Sequence, residues 1–129
     1  MLDGTDWSDL ELLVRELVDQ IVAPTGVKAE IGNVYGVPAV VNDVAMVALQ
    51  NHAAMRCLGE QAISDTRQSM GGEDFAWYLR EVPGAMARLG VLSPGTPPLD
   101  LHQSSFDIDE SALPVGVRFS AAILDEAWS

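Results

Sequence analysis

One cysteine, Cys57, in a chain of 129 residues leaves no internal disulfide. A lone thiol suits a reducing compartment, so a cytoplasmic location is the expectation. Basic residues are equally scarce: 7 Lys and Arg stand against 19 Asp and Glu, for a formal charge of −12. Such a chain repels phosphate backbones and acidic lipid surfaces, which argues against nucleic acid and membrane as partners. No apolar run approaches the roughly 18–20 residues that span a bilayer. The start, Met1-Leu2-Asp3-Gly4-Thr5-Asp6, has neither the basic nor the apolar region of a signal peptide. There is no internal repeat, no low-complexity tract, no paired-histidine zinc motif and no Cys-x-x-Cys. What is present is apolar: 48% hydrophobic residues, enough for a core of ordinary single-domain size.

Ser8-Asp9-Leu10-Glu11 reads as a capping box, the hydroxyl and carboxylate each satisfying a free amide at a helix start. Leu10, Leu13, Val14, Leu17, Val18 and Ile21 then recur at helical spacing, with Glu11, Arg15 and Asp19 opposite. Pro24 and Gly26 end that helix. Val27, Ala29 and Ile31 alternate with Lys28 and Glu30, the pattern of a half-buried strand. Asn42 is the predicted N-cap of a second helix running to about Gly59, with Val44, Val47, Ala48, Met55 and Leu58 as its inner stripe. Other positions of that helix are apolar as well, the mark of an element covered on several sides. A short extended piece near Ala62-Ile63 precedes Gly71-Gly72. A brief helix from Glu73 to about Arg80 buries Phe75 and Leu79 and stops at Pro83-Gly84. Ala85 to Val91 reads as a core strand, and Ser93 to Ser105 as a loop rich in Pro, Gly and Ser. Asp109 caps a short turn, Pro114 suits the first turn of a terminal helix, and Leu113, Val117, Ala121, Leu124 and Trp128 share one face of it.

The run Met70-Gly71-Gly72-Glu73-Asp74-Phe75-Ala76-Trp77-Tyr78-Leu79, followed by Val82-Pro83-Gly84 and Leu101-His102, carries a family resemblance. So does His102-Gln103-Ser104-Ser105-Phe106-Asp107-Ile108-Asp109-Glu110, leading into Ala112-Leu113-Pro114-Val115-Gly116. These segments resemble the zinc-dependent amidohydrolases and carboxypeptidases that include hippurate hydrolase, aminoacylases and indole-acetyl-amino-acid hydrolases. Ser104 stands where a proline is common in that loop. The likeness is close from Met70 to Leu124 and general before that.

The resemblance implies an α/β fold. Residues 1–41 correspond to the end of a small α+β lid or dimerisation domain, and residues 42–129 to the C-terminal part of the catalytic domain. It implies a divalent metal, zinc or manganese, with His102 as one ligand, and a small N-acyl amino acid or peptide as substrate. The other ligands and the general-base glutamate of such enzymes lie upstream, so no catalytic residue is assigned in this chain. On this basis the chain is a C-terminal portion, inactive alone, whose partner is an N-terminal chain or a second copy. Two alternatives stand beside it: a truncated relic kept for packing contacts, or the second subunit of a split hydrolase.

Each candidate also has a plain structural reading. His102 is either a metal ligand, with Asp100 and Asp107 orienting its ring, or a surface histidine in a polar loop. Gly71 and Gly72 either let a substrate approach the main chain or make a tight turn, and a role in shaping the site is favoured. Glu73 and Asp74 sit at a helix start, where carboxylates are favourable. As neighbours they diverge by about 100°, a poor arrangement for an acid–base pair. Trp77 and Tyr78 either pack or line a pocket. Asp107, Asp109 and Glu110 lack the oxygen spacing and central glycine of a calcium loop, so capping accounts for them. His52 and Cys57, five apart, are no helical ligand pair and read as a boundary residue and core filling.

Overall fold

The computed structural model describes residues 7–97, 99 and 101–129. They divide into two units: Met1–Val41 with Met70–Val82, and Asn42–Ser69 with Pro83–Ser129. No helix among the described residues is long and apolar enough to cross a membrane.

In the first unit, α1 spans Trp7–Val22. It passes into a 3-10 turn, Ala23–Thr25, which Gly26 closes in the left-handed region at φ 69°. Pro24 and Gly26 thus end the helix for the reasons the sequence gives: a missing N–H, then a residue without a Cβ penalty. The capping box does not form. Ser8 lies inside α1, and the Glu11 carboxylate turns to Arg15 at 2.7 Å, the Tyr35 hydroxyl at 2.5 Å and the Asn33 amide at 3.3 Å. The two distant donors draw the carboxylate away from the helix start and tie Asn33 and Tyr35 to α1. On the predicted apolar face Leu13, Val14, Leu17 and Ile21 are exposed, while Leu10 and Val18 are half-buried. The second helix of this unit, α2, is the single turn Phe75–Tyr78, within which Ala76 is buried. Phe75 and Leu79 are half-buried.

In the second unit, α3 spans Val44–Leu58 and α4 spans Ala112–Ala127. The two helices pack on each other. Their buried residues are Ala53, Ala54 and Ala112, small side chains that let helices approach closely. The N-cap of α3 is Asp43, not Asn42: its Oδ1 accepts from the Met46 N–H at 3.0 Å. Asn42 instead pairs its side-chain amide with Met86, accepting from the backbone N–H at 2.9 Å and donating to the carbonyl at 3.2 Å. Gly59 ends α3, its N–H donating to Met55 O at 2.9 Å.

No strand is present among the described residues, which are helical or irregular. The strands expected at Val27–Ile31 and Ala85–Val91 are therefore corrected, and Ala62 closes a 3-10 turn before the extended Ile63. A strand exists only against a neighbouring backbone. Over 84–91, side chains and single bonds take that place: Asn42 on Met86, the Gln50 amide on Ala85 O at 2.7 Å, and Asp109 N–H on Val91 O at 2.8 Å.

The predicted faces of both long helices also need correction. On α4 the half-buried side is Val115, Gly116, Phe119, Ala122, Ile123 and Glu126, whereas Leu113, Val117, Ala121, Leu124 and Trp128 face outward. Both sides are apolar, so periodicity alone does not choose between them. Polar contacts do: the Arg56 guanidinium pairs with Asp125 at 2.5 Å and Glu126 at 3.5 Å, and His52 Nδ1 lies 2.6 Å from a Glu126 carboxylate oxygen. These contacts set the rotation of α4 against α3. On α3, Val44 is 84% exposed, and Ala48 and Met55 are also exposed. Val47, Cys57 and Leu58 are half-buried, consistent for Cys57 with its reading as filling.

Asn42→Ala is expected to lower the unfolding free energy by about 1–2 kcal/mol, since both bonds to Met86 are lost. Val44→Ala is expected to change it by no more than about 0.5 kcal/mol. Urea denaturation of the two variants checks the contrast.

Candidate functional site

Gly71 to Arg80 forms the most built part of the first unit. Gly72 faces Val37 so closely that a Cβ there would lie 2.7 Å from Val37 Cγ2. A hydrogen at this position is therefore a packing requirement. Glu73 opens the following turn: its carbonyl accepts from Ala76 N–H at 3.1 Å and its Oε1 from Phe75 N–H at 3.3 Å. The Asp74 carbonyl accepts from Trp77 N–H at 3.0 Å, while its side chain makes no capping bond. Trp77 and Tyr78 are both exposed. The Arg80 guanidinium stacks on the Trp77 ring, 5.0 Å from its centroid. Phe75 and Tyr78 rings meet at 6.3 Å, tilted by 33°.

Trp77 and Arg80 border an open hollow of about 390 Å³, whose other walls are Ser8, Tyr35, Gly36, Val37 and Pro38. Val37 thus links Gly72 to the shape of this hollow. The sequence signal for it was weak. Trp77 and Arg80 are three apart on a helical turn, where cation and ring meet, but the approach of Tyr35 has no local sign.

His102 belongs to the second unit. It sits in a turn at φ 66°, the single non-glycine residue with positive φ among those described, and its side chain is exposed. The left-handed region costs an L-residue roughly 1–2 kcal/mol, and such strain persists where something else favours the residue. Phe106 N–H donates to Gln103 O at 3.1 Å just beyond. Asp107 Oδ1 accepts from Ile108 N–H at 2.8 Å. Asp100, the other residue expected to orient the ring, lies outside the described residues. Asp109 makes the predicted turn, accepting from Ser111 N–H at 2.9 Å and from the Ser93 hydroxyl at 2.5 Å.

Two carboxylates are held well below their usual range. Hydrogen bonds from Tyr35, then Arg15, then Asn33 bring Glu11 from 4.5 to about 2, and Tyr35 is correspondingly raised. The hydroxyls of Ser111 and Ser93, with Ser111 N–H, bring Asp109 from 3.8 to about 2.

Among the described residues no group of three or more His, Cys, Asp or Glu gathers as a metal site would require. Zinc sites take three or four protein ligands. The residues here therefore do not fit a metal centre by themselves, and His102 offers one donor.

The profile of the peptidase family M20/M25/M40 matches residues 8–126. The chain belongs to this family, and membership, rather than the helical architecture described above, ties it to an α/β catalytic domain. A Rhodococcus jostii protein with the provisional name glutamate–cysteine ligase 2-3 is 44% identical over 91% of this chain and 15% of its own. N-acetyldiaminopimelate deacetylase of Exiguobacterium sibiricum is 36% identical over 88% of this chain and 29% of its own. N-acetylcysteine deacetylase of Bacillus subtilis is 34% identical over 85% and 27%. The chain thus spans between 15% and 29% of the length of these relatives. No solved structure matches.

Gly72→Ala is expected to destabilise the protein by about 1–3 kcal/mol, because Val37 is stiff at χ1 and must shift. Thermal unfolding checks this. Glu11 and Asp109 have depressed pKa values, so their contributions are complete above 4.5 and 3.8 respectively and vanish as pH falls towards 2. The stability difference between the parent and Glu11→Gln should therefore be constant above pH 4.5 and shrink below it.

Proposed function

We propose that this chain is the C-terminal part of a metal-dependent amidohydrolase that cleaves the amide bond of N-acyl amino acids or small peptides. The observation that carries the reading is the family match over residues 8–126, joined to relatives named as deacetylases of N-acetylated amino acids. In each of these the matching stretch is a small part of a longer polypeptide.

In this reading residues 1–41 are the end of the lid or dimerisation domain and residues 42–129 the end of the catalytic domain. His102 contributes one ligand to zinc or manganese, and its strained, exposed turn supports a role outside packing. Gly71 and Gly72 shape the substrate site, with Gly72 keeping Val37 in place. Glu73 and Asp74 hold the turn that follows. The remaining ligands and the general base come from elsewhere, in the same polypeptide or in an N-terminal partner. Held by His102 together with those further donors, the metal would supply Lewis-acid polarisation of the amide carbonyl and an activated water. The lone thiol Cys57 agrees with a cytoplasmic setting.

A second reading has its own observation. The outward apolar faces of α1 and α4 suit a chain completed by a partner, as the second subunit of a split hydrolase or as a non-catalytic relic retained for such contacts. An adjacent reading frame carrying the missing Asp, His, Cys or Glu ligands favours the split enzyme; its absence favours the relic.

Metal analysis after dialysis against zinc tests the reading. The isolated chain is expected to hold well under one zinc per molecule, and one tightly held zinc would contradict it. With the missing donors supplied, His102→Ala should lower amide hydrolysis by at least roughly 10–100-fold. His102→Gly should cost no stability, because glycine adopts the same backbone freely, while losing the same activity.

A further inference from the structure

We propose that the outward face of α4 is a contact surface for a second copy of this chain, met antiparallel across a two-fold axis beside Ala121. This goes beyond the hydrolase reading, because it involves no metal, no substrate, and neither the glycine pair nor the His102 turn.

The inner side of α4 is taken. α3 packs there, and Gly116 sits so near Leu89 that a Cβ on it would lie 3.0 Å from Leu89 Cδ2. The opposite side carries Leu113, Val117, Ala121, Leu124 and Trp128. At about 100° per residue these five share an arc of about 80°. From Leu113 onward they follow one another in steps of three or four residues, the seam of a two-helix coil. Leu113, Val117, Leu124 and Trp128 are 56%, 71%, 53% and 83% exposed. A surface helix ordinarily turns its charged side outward, but this outward stripe holds no charged residue.

The flanks of the stripe choose its occupant and direction. Arg118 and Asp125 are both exposed and stand on one flank, about two turns or roughly 10 Å apart. The other flank carries Ser120 and Ala127, without charge. Two copies of a helix paired antiparallel bring like flanks together, whereas parallel pairing brings opposite flanks together. Antiparallel pairing therefore sets Arg118 against the partner's Asp125, and Asp125 against the partner's Arg118. That is the self-complementary pattern of a two-fold contact. Parallel pairing would leave both charges facing Ser120 and Ala127. Ala121 lies beside the midpoint, where a small side chain lets two backbones approach. Val117 and Leu113 then face the partner's Leu124 and Trp128. Asp125 already accepts from Arg56 through Oδ2, but it remains 71% exposed, and a carboxylate accepts through two oxygens. One helix face buries less than the roughly 800 Å² per partner of a standard stable complex, so the dimer is weak and concentration-dependent.

The test is analytical ultracentrifugation of the full chain in metal-free buffer. Salt at about 0.15 M screens the repulsion between two acidic chains beyond about 8 Å. As protein concentration rises, the average mass of the parent is expected to climb from 13.8 kDa towards twice that value. Val117→Glu should keep the chain monomeric. Arg118→Asp and Asp125→Arg should each weaken association at least about tenfold, since like charges then meet at both symmetry-related positions. An equimolar mixture of these two charge variants should recover the parent's association, because every facing pair becomes opposite in sign again. A parent that stays monomeric, association unmoved by Val117→Glu, or a mixture no stronger than its components would each overturn the proposal. Val117 and Arg118 lie away from the α3 contact, so their variants decide the matter even where Asp125→Arg fails to fold. Zinc is absent throughout, so failure of the metal reading and failure of this one are separately visible.

Discussion

Burial is the constraint on which the rest of this molecule depends. Nearly half of its residues are hydrophobic, yet the buried ones among those described are four alanines, and no large side chain is fully enclosed. Apolar contact is the main favourable term in folding, at roughly 25 cal/mol per Å² removed from water. Alanines remove little. Leucines and valines that could remove more stand open along α1 and α4, and that imbalance is what a larger assembly would correct. The family match, covering the chain but less than a third of each relative described, agrees with such an assembly.

With so small an apolar core, polar contacts carry much of the specificity. The Asn42 side chain stands in for a strand by pairing both main-chain groups of Met86, and Asp43 beside it caps α3. Glu11 ties residues more than twenty positions apart to α1. The pairs of His52 and Arg56 with Asp125 and Glu126 choose which side of α4 faces α3. These contacts are partly exposed, with Glu126 half-buried, and individually weak, on the order of 1 kcal/mol or less. Their effect is geometric: of two apolar sides, one is selected. The cost is that the other side keeps Val117 and Trp128 in solvent.

Much of the local structure was legible. Helix positions followed from apolar spacing, and stops followed from Pro24, Gly26 and Gly59. The Asp109 turn followed from side-chain chemistry acting within two residues. What failed was whatever depended on distant partners. Ser8 and Glu11 carry the letters of a capping box, but Tyr35 and Asn33 compete for the carboxylate. Asn42 and Asp43 are both good caps, and only the position of Met86 decides between them. Val27–Ile31 has strand alternation and no backbone to pair with among the described residues. For the site, Gly72 and His102 were visible as residue types in a pattern. The close contact of Gly72 with Val37 and the positive φ of His102 were not, and neither was the hollow, whose walls come from three separate stretches of sequence.

The proposed account joins these facts through one imidazole. His102 is exposed, in a backbone conformation that favours glycine, and no group of three or more His, Cys, Asp or Glu gathers among the described residues. Under the proposed function His102 would be a ligand that becomes useful when further donors surround the same ion. The most direct measurement is the zinc anomalous difference map of the chain combined with the polypeptide that carries those donors. The account predicts a zinc peak about 2.0–2.1 Å from a ring nitrogen of His102. A fully coordinated zinc with the His102 ring outside its shell would contradict it.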